Sequence, residues 1–410
     1  MNRSRQLLRA AEKILVPIFY EIDGQVKENL GKVLTAFRSH RVGPQHFASV
    51  SGYGHDDLGR QVLDSVFADV MGAEAAAVRV QFVSGTHAIA CALFGILRPG
   101  DELLAVAGHP YDTLEEVIGL RGTDQGSLAE FGVRYRELAL TPSGSLDWSG
   151  LETAIKPDTR MVLIQRSCGY SWRQSLSVAE IGRIVDIIKR QNPETICFVD
   201  NCYGEFIETQ EPTAVGVDIM AGSLIKNPGG TIVTAGGYVA GREALVEKAC
   251  CRLTAPGIGR EGGATFEQNR LLFQGLFLAP QMVGEAKKGS HLAAHVLADL
   301  GYPVNPKPAA ARRDIIQAVK LGTPEKLVAF CRSIQQFSPV GSYLDPVPAS
   351  MPGYETPLVM AGGTFIDGST SEFSADGPLR EPYIVFCQGG THWTHVSLAI
   401  EAAVDALDAL

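Results

Sequence analysis

The 410 residues are too many for one small core and suit a large domain with a smaller one beside it. Apolar residues make up 45% and charged residues 20%, the balance of a soluble globular protein. A formal net charge of -9 offers no gain from counterion release on DNA or RNA, which argues against a nucleic-acid partner.

The first 50 residues show helical spacing, with Leu7, Leu8, Ala11, Ile14 and Leu15 on one face. The basic start lacks an apolar stretch with a small-residue cleavage site, so it reads as an amphipathic helix of the mature chain. Residues 49–60, SVSGYGHDDLGR, are Gly-rich and polar and predict a loop. A helix follows at about 61–72. Strands are then predicted at 78–84, 102–108, 133–138, 160–167 and 195–201. Helices at 85–97, 111–120, 148–155 and 177–190 alternate with them, and two further strands at 217–224 and 231–241 complete the set. That alternation implies a mostly parallel sheet covered on both faces, with ligands at the carboxyl ends of its strands. Residues 261–300 read as helical. Strands at 317–322 and 383–389, a helix from Thr323 to about Gln336 and a last helix at 395–410 predict a smaller α/β domain. Pro and Gly cluster between 338 and 378, which reads as loops near a site or a domain edge.

No run of about 18 apolar residues occurs, so no membrane span is expected. The eight cysteines form no CxxC pair and no Cys/His cluster with zinc spacing, so no metal site is expected. Their scatter fits a reducing cytosol, which makes a cytoplasmic location the expectation.

The chemistry centres on Lys226, in AGSLIKNPGG. It follows an apolar strand and precedes a Pro-Gly-Gly turn, which places it at a strand end. A desolvated lysine there can lose its proton and attack an aldehyde. The plain alternative is a surface lysine at a loop start. Asp200 ends the strand TICFVDN, where a carboxylate can face a protonated ring nitrogen; alternatively it caps a turn. Ser84, Gly85 and Thr86 lie where a strand turns into a helix, and exposed N–H groups there make an anion site. Ser223, three residues before the lysine, can reach the same anion. The order of phosphate loop, aspartate, serine and lysine, each at a predicted strand end, is less easily met by chance than any one of them.

Several longer stretches carry a resemblance: SGYGHDDLGR (51–60), VSGTHAI (83–89), GHPYDTLEEVIG (108–119), QRSCGYSWR (165–173), FVDNCYGEF (198–206), VDIMAGSLIKNPGG (217–230), RLTAPGIG (252–259) and GGTHWTH (389–395). Together they run through nearly the whole chain. The sequence resembles fold-type I pyridoxal 5′-phosphate enzymes of the cystathionine lyase superfamily, in the aluminium-resistance or methionine γ-lyase-like branch. The resemblance implies an α/β fold with a seven-stranded, mostly parallel sheet in a large cofactor-binding domain (61–280). Residues 1–60 would form an N-terminal helix and arm against a partner subunit, and 281–410 a smaller C-terminal α/β domain. It further implies Lys226 as the imine lysine, Asp200 as the pyridinium partner, and Ser84, Gly85, Thr86 and Ser223 as the phosphate cradle. Tyr111 would stack on the cofactor ring.

The same resemblance implies Tyr53 over a neighbouring subunit's site, Arg380 as the substrate-carboxylate clamp and Ser167 as a substrate contact. Tyr170 and Arg173 are weaker candidates. Two positions depart from the related lyases: His55 stands where they have an arginine, and Ile225 where many have a small hydroxyl residue. The implied activity is a carbon–sulfur lyase that eliminates at the β- or γ-carbon of a cystathionine-, cysteine- or methionine-like amino acid. The implied partners are that small molecule and copies of the chain itself, in a dimer with shared sites or a tetramer. The same residues also serve aldolases, transaminases and racemases, and a catalytically silent stress-tolerance protein is the remaining alternative.

Overall fold

The computed structural model describes residues 3–122, 126–351, 354–369 and 371–410. A seven-stranded sheet carries the larger unit: β1 (Ala75–Arg79), β2 (Glu102–Ala105), β3 (Arg134–Glu137), β4 (Thr159–Gln165), β5 (Ile196–Asp200), β6 (Ile219–Ser223) and β7 (Gly237–Gly241). Its order is β1-β7-β6-β5-β4-β2-β3. The strands from β3 across to β6 pair in parallel, and β7 runs antiparallel to both of its neighbours. Side chains alternate between two cores, as the period of a strand requires. Val162, Ile164, Cys197 and Val199 face one, and Met161, Leu163, Ile196 and Phe198 face the other. Helices α2 (Leu58–Met71), α3 (Gly85–Ile96), α4 (Asp112–Ile118), α5 (Trp148–Ala154), α6 (Val178–Gln191) and α7 (Glu243–Leu253) cover those faces.

The smaller unit is an antiparallel sheet of order β10-β11-β12-β9-β8. Its strands are β8 (Val304–Asn305), β9 (Gln317–Lys320), β10 (Leu358–Ala361), β11 (Ser374–Pro378) and β12 (Ile384–Gln388). Helices α9 (Pro324–Gln336) and α10 (Trp393–Asp408) pack on it.

Two long helices join the units: α1 (Arg3–Ser39) and α8 (Asn269–Asp299). They run antiparallel. Phe37 meets Phe273 edge-on at 5.9 Å, Gly284 faces Val26, and Leu8, Ala11 and Leu15 share a core with Leu292, Val296 and Leu297. The helix α8 passes unbroken through the expected domain boundary at 280/281, with Pro280 inside it. No described helix is long and apolar enough to cross a membrane.

Three expectations need correcting. The first strand lies at Ala75–Arg79, not 78–84, because pairing with β7 selects Ala75 to Arg79 and overrides the β-branched run after it. Arg79 closes that strand by a two-toothed ion pair with Asp64 at 2.6 and 2.8 Å. Of 231–241, only Gly237–Gly241 is strand. The span 338–378 holds β10 and β11, hidden by its Pro and Gly content. Gly377 is there for space: a Cβ on it would lie 2.4 Å from the carbonyl oxygen of Ile384.

Candidate active site

The carboxyl ends of β4, β5 and β6 meet the start of α3. Gln165, Asp200 and Ala221 stand level across the three strands. Ser84 caps α3, its hydroxyl accepting from the His87 N–H at 3.1 Å. The first N–H groups of that helix, from Gly85 and Thr86, have no partner within the helix. Gly85 sits against both neighbouring strand ends. A Cβ there would lie 3.0 Å from Ser223 Cβ and 3.2 Å from Cys202 Sγ. The absence of a side chain at Gly85 therefore lets the start of α3, with its free N–H groups, come close to Ser223 and the turn after Asp200.

Asp200 is buried, and burial raises its pKa. The Cys202 N–H, donating to Oδ1 at 3.1 Å, and the charge of Lys226 oppose that rise. Lys226 follows β6 on a tight turn. Its Nζ donates to the Tyr203 hydroxyl at 2.6 Å and lies 4.0 Å from the centre of that ring. Loss of water works against the ammonium, but Tyr203 and Cys202 outweigh it and raise the lysine pKa above its ordinary value. Tyr203 is itself pushed up to about 12, chiefly by burial. Its backbone is left-handed, with φ +70°, which is uncommon for an aromatic residue and turns the ring toward the lysine.

Lys226 opens onto a cavity of about 540 Å³ between the two units. Tyr111, Tyr170, Tyr203 and Tyr354 line it together with Asp376 from β11. The Tyr111 N–H donates to Gln165 Oε1 at 2.7 Å, which fixes the start of α4, and its hydroxyl is hydrogen-bonded to that of Tyr354.

The remaining expected side chains are engaged by other partners or lie outside the cavity. The Thr86 hydroxyl is engaged with that of Thr113 at 3.0 Å. Ser167 donates to Asp314 Oδ2 at 3.0 Å and does not line the cavity. Arg380 lines a smaller hollow with Asp112 and Glu115, separated from Lys226 by Tyr354, which borders both. Tyr53 is 84% exposed and lies outside the cavity in its own chain, its ring 5.7 Å from that of His55. Arg173 is spent on backbone, donating to the Gln165 carbonyl at 2.9 Å. Buried Arg60 likewise donates to the carbonyls of Gly54 and Gly263 at 2.6 Å each and of Glu261 at 3.0 Å, so it pins the 49–57 loop.

Residues that sequence reasoning passed over are Tyr203, Tyr354 and Asp376. Tyr203 stood inside the quoted FVDNCYGEF, three residues past the aspartate, and that spacing was its one signal. Asp376 lay in the stretch read as loop.

Residues 4–408 match the family model for methionine gamma-lyase. The chain belongs to the methionine gamma-lyase family. Uncharacterized YnbB of Bacillus subtilis is 48% identical over 397 residues, 97% of this chain and 94% of that protein. A Listeria monocytogenes structure, named provisionally as a cystathionine beta-lyase involved in aluminum resistance, is 46% identical, with TM-score 0.96 over 98% of this chain and all of that one. A Clostridium novyi carbon-sulfur lyase involved in aluminum resistance is 44% identical, with TM-score 0.94 over 98% of this chain and 95% of that one. Membership of the methionine gamma-lyase family, in a fold of type I, implies pyridoxal phosphate as cofactor.

Proposed function

We propose that the chain is a pyridoxal-phosphate-dependent carbon–sulfur lyase, which releases a 2-oxo acid and ammonia from a sulfur-containing amino acid. The observation that carries this reading is the meeting of three groups at the carboxyl ends of β5 and β6: the Lys226 amine, the Asp200 carboxylate and the start of α3 beside Gly85 and Ser223.

The residues fit the cofactor. The start of α3, brought close to Ser223 by the bare Gly85, suits a phosphate received by the N–H groups of Gly85 and Thr86 and by the Ser223 hydroxyl. With the Thr86 hydroxyl tied to Thr113, that residue contributes its N–H more than its side chain. Asp200 suits the pyridine nitrogen: burial penalises its charge when alone, and a positive nitrogen beside it offsets the penalty. When bound, pyridoxal phosphate supplies an aldehyde for Lys226 and an electron sink for the substrate.

The chain's own residues then do the rest. The Lys226 Nζ moves the proton at the substrate Cα. The Tyr203 hydroxyl orients that amine through the 2.6 Å hydrogen bond. Tyr111 covers the site and keeps water from it, held in place by Gln165 and Tyr354. We assign Arg380 to the substrate carboxylate, reached past Tyr354, because a planar fork suits that group. Tyr53, displayed on its own surface, acts in the site of a second copy. Ser167 supports the β4 end through Asp314.

The test is a panel of sulfur amino acids given to cofactor-loaded protein, with 2-oxo acid and thiol measured together. Release of both from at least one member is expected. If a loaded protein yields 2-oxo acid from none, the lyase reading is wrong.

A further inference from the structure

The cavity beyond Lys226 has an unusual charge pattern. Among the described residues lining it, the basic and carboxylic side chains are Lys226, Asp367 and Asp376; no arginine and no histidine is present. Asp367 lies at the exposed side. Asp376 is different, being only 6% exposed although it lines the cavity. Its Oδ2 accepts from Gln388 Nε2 at 3.2 Å, whereas its Oδ1 has no hydrogen-bond partner among the described residues. A buried oxygen left unpaired is costly unless something is brought to it.

The neighbours give the site its shape. The Tyr170 hydroxyl and the charge of Lys226 face Asp376 from one side and hold its pKa down, while burial lifts it to about 7. Tyr111, Tyr203 and Tyr354 stand around the same space, and Cys331 and Cys387 lie behind, both neutral at physiological pH because burial raises their thiols. Once the Lys226 amine is engaged by cofactor, the cavity keeps an acid and loses its cation. A side chain entering it also passes Val340, Leu344 and Met360, which suit a carbon–sulfur chain.

We propose that Asp376 is a specificity-determining residue that receives a second positive charge on the substrate, so that the preferred class is amino acids whose thioether arm ends in an ammonium group. The substrate's own α-amino group is occupied at Lys226, so Asp376 addresses a different cation. The Tyr170 hydroxyl lies beside the carboxylate, but no described donor reaches Oδ1 in hydrogen-bond geometry; that oxygen accepts one ammonium N–H, and Gln388 holds the other. The inference rests on the lyase reading and adds the charge of the arm. An anionic arm would meet two carboxylates and is rejected.

The test uses holoprotein and three ligands of similar size: S-(2-aminoethyl)-L-cysteine, S-propyl-L-cysteine and S-carboxymethyl-L-cysteine. Affinity is read from the change each causes in the visible band of the bound cofactor, and kcat and KM are measured alongside. The cationic ligand should bind about tenfold tighter than the neutral one, the worth of one charge-assisted hydrogen bond. The anionic ligand should bind weakest. Asp376→Asn should bring the cationic and neutral ligands to parity while the visible band remains. Equal binding of those two by wild type, or an undiminished preference in Asp376→Asn, overturns the proposal, and the wild-type comparison needs no variant to fold. A protein that binds all three with the expected preference but eliminates none overturns the lyase reading and leaves the charge selectivity standing. A protein that takes up no cofactor defeats both.

Discussion

Lys226 stands between a hydroxyl it donates to and a carboxylate that feels its charge. Replacing it with alanine should abolish the yellow colour of the bound cofactor and lower turnover by at least about a thousandfold, within the range for a group that moves protons. Absorbance of the purified variant with added cofactor checks this; an unchanged visible band would place the attachment elsewhere. Gly85→Ala should keep the fold and weaken cofactor uptake about tenfold, because the new methyl must share space with Ser223 Cβ at 3.0 Å. Titration with pyridoxal phosphate reads it. Glu205 offers a signed pH test. It is wholly buried, accepts from the Tyr238 hydroxyl at 2.8 Å with Oε1 and has Oε2 unpaired, and burial raises its pKa from 4.5 to about 8. Between those values the unfolded chain has released a proton that the folded chain still holds, so this group's contribution to stability falls as pH rises from 4.5 to about 8. Glu205→Gln removes that slope, and its stability relative to wild type should rise across the window. Urea unfolding at several pH values decides it, and a constant difference would show that Glu205 titrates normally. Lys226 and Asp200 were legible in sequence because a strand end announces itself by composition. Tyr203 and Asp376 were not. One owes its place to a left-handed backbone, the other to a strand whose Gly and Pro imitate a loop.

At the scale of elements, sequence patterning found nearly every helix and strand of the larger sheet, because burial on both faces writes continuous apolar runs. It failed where pairing overrode propensity, as at β1, and where close backbone approach demanded glycine, as at Gly377. Helix contacts follow the same rule. The Cβ position of Gly284 lies 2.3 Å from Val26 Cγ2, so α1 and α8 touch almost backbone to side chain there. Gly284→Val should force them apart and cost about 1–3 kcal/mol, seen as a lower melting midpoint with the visible band retained. A melting point equal to wild type would mean that the two helices yield at that crossing without penalty.

For the whole molecule, the expectation of sites shared between copies rests on Tyr53, which its own chain leaves exposed and away from Lys226. Mixed after dissociation and reassembly, Tyr53→Phe and Lys226→Ala proteins should together recover activity that neither has alone, since one hybrid site would hold both native groups. Continued inactivity of the mixture, with hybrids demonstrated by mass, would confine each site to one chain. The order of elements could say nothing of this: a loop tyrosine looks the same in sequence whether it serves its own chain or another.

The antiparallel pair α1 and α8 threads both cores, so the wall bearing Lys226 and the wall bearing Asp376 hang from one shared helical frame. Little of the energy gained on meeting a ligand need then go into swinging one wall toward the other. It stays available at the reacting carbon, where holding atoms in place shortens the climb to the transition state.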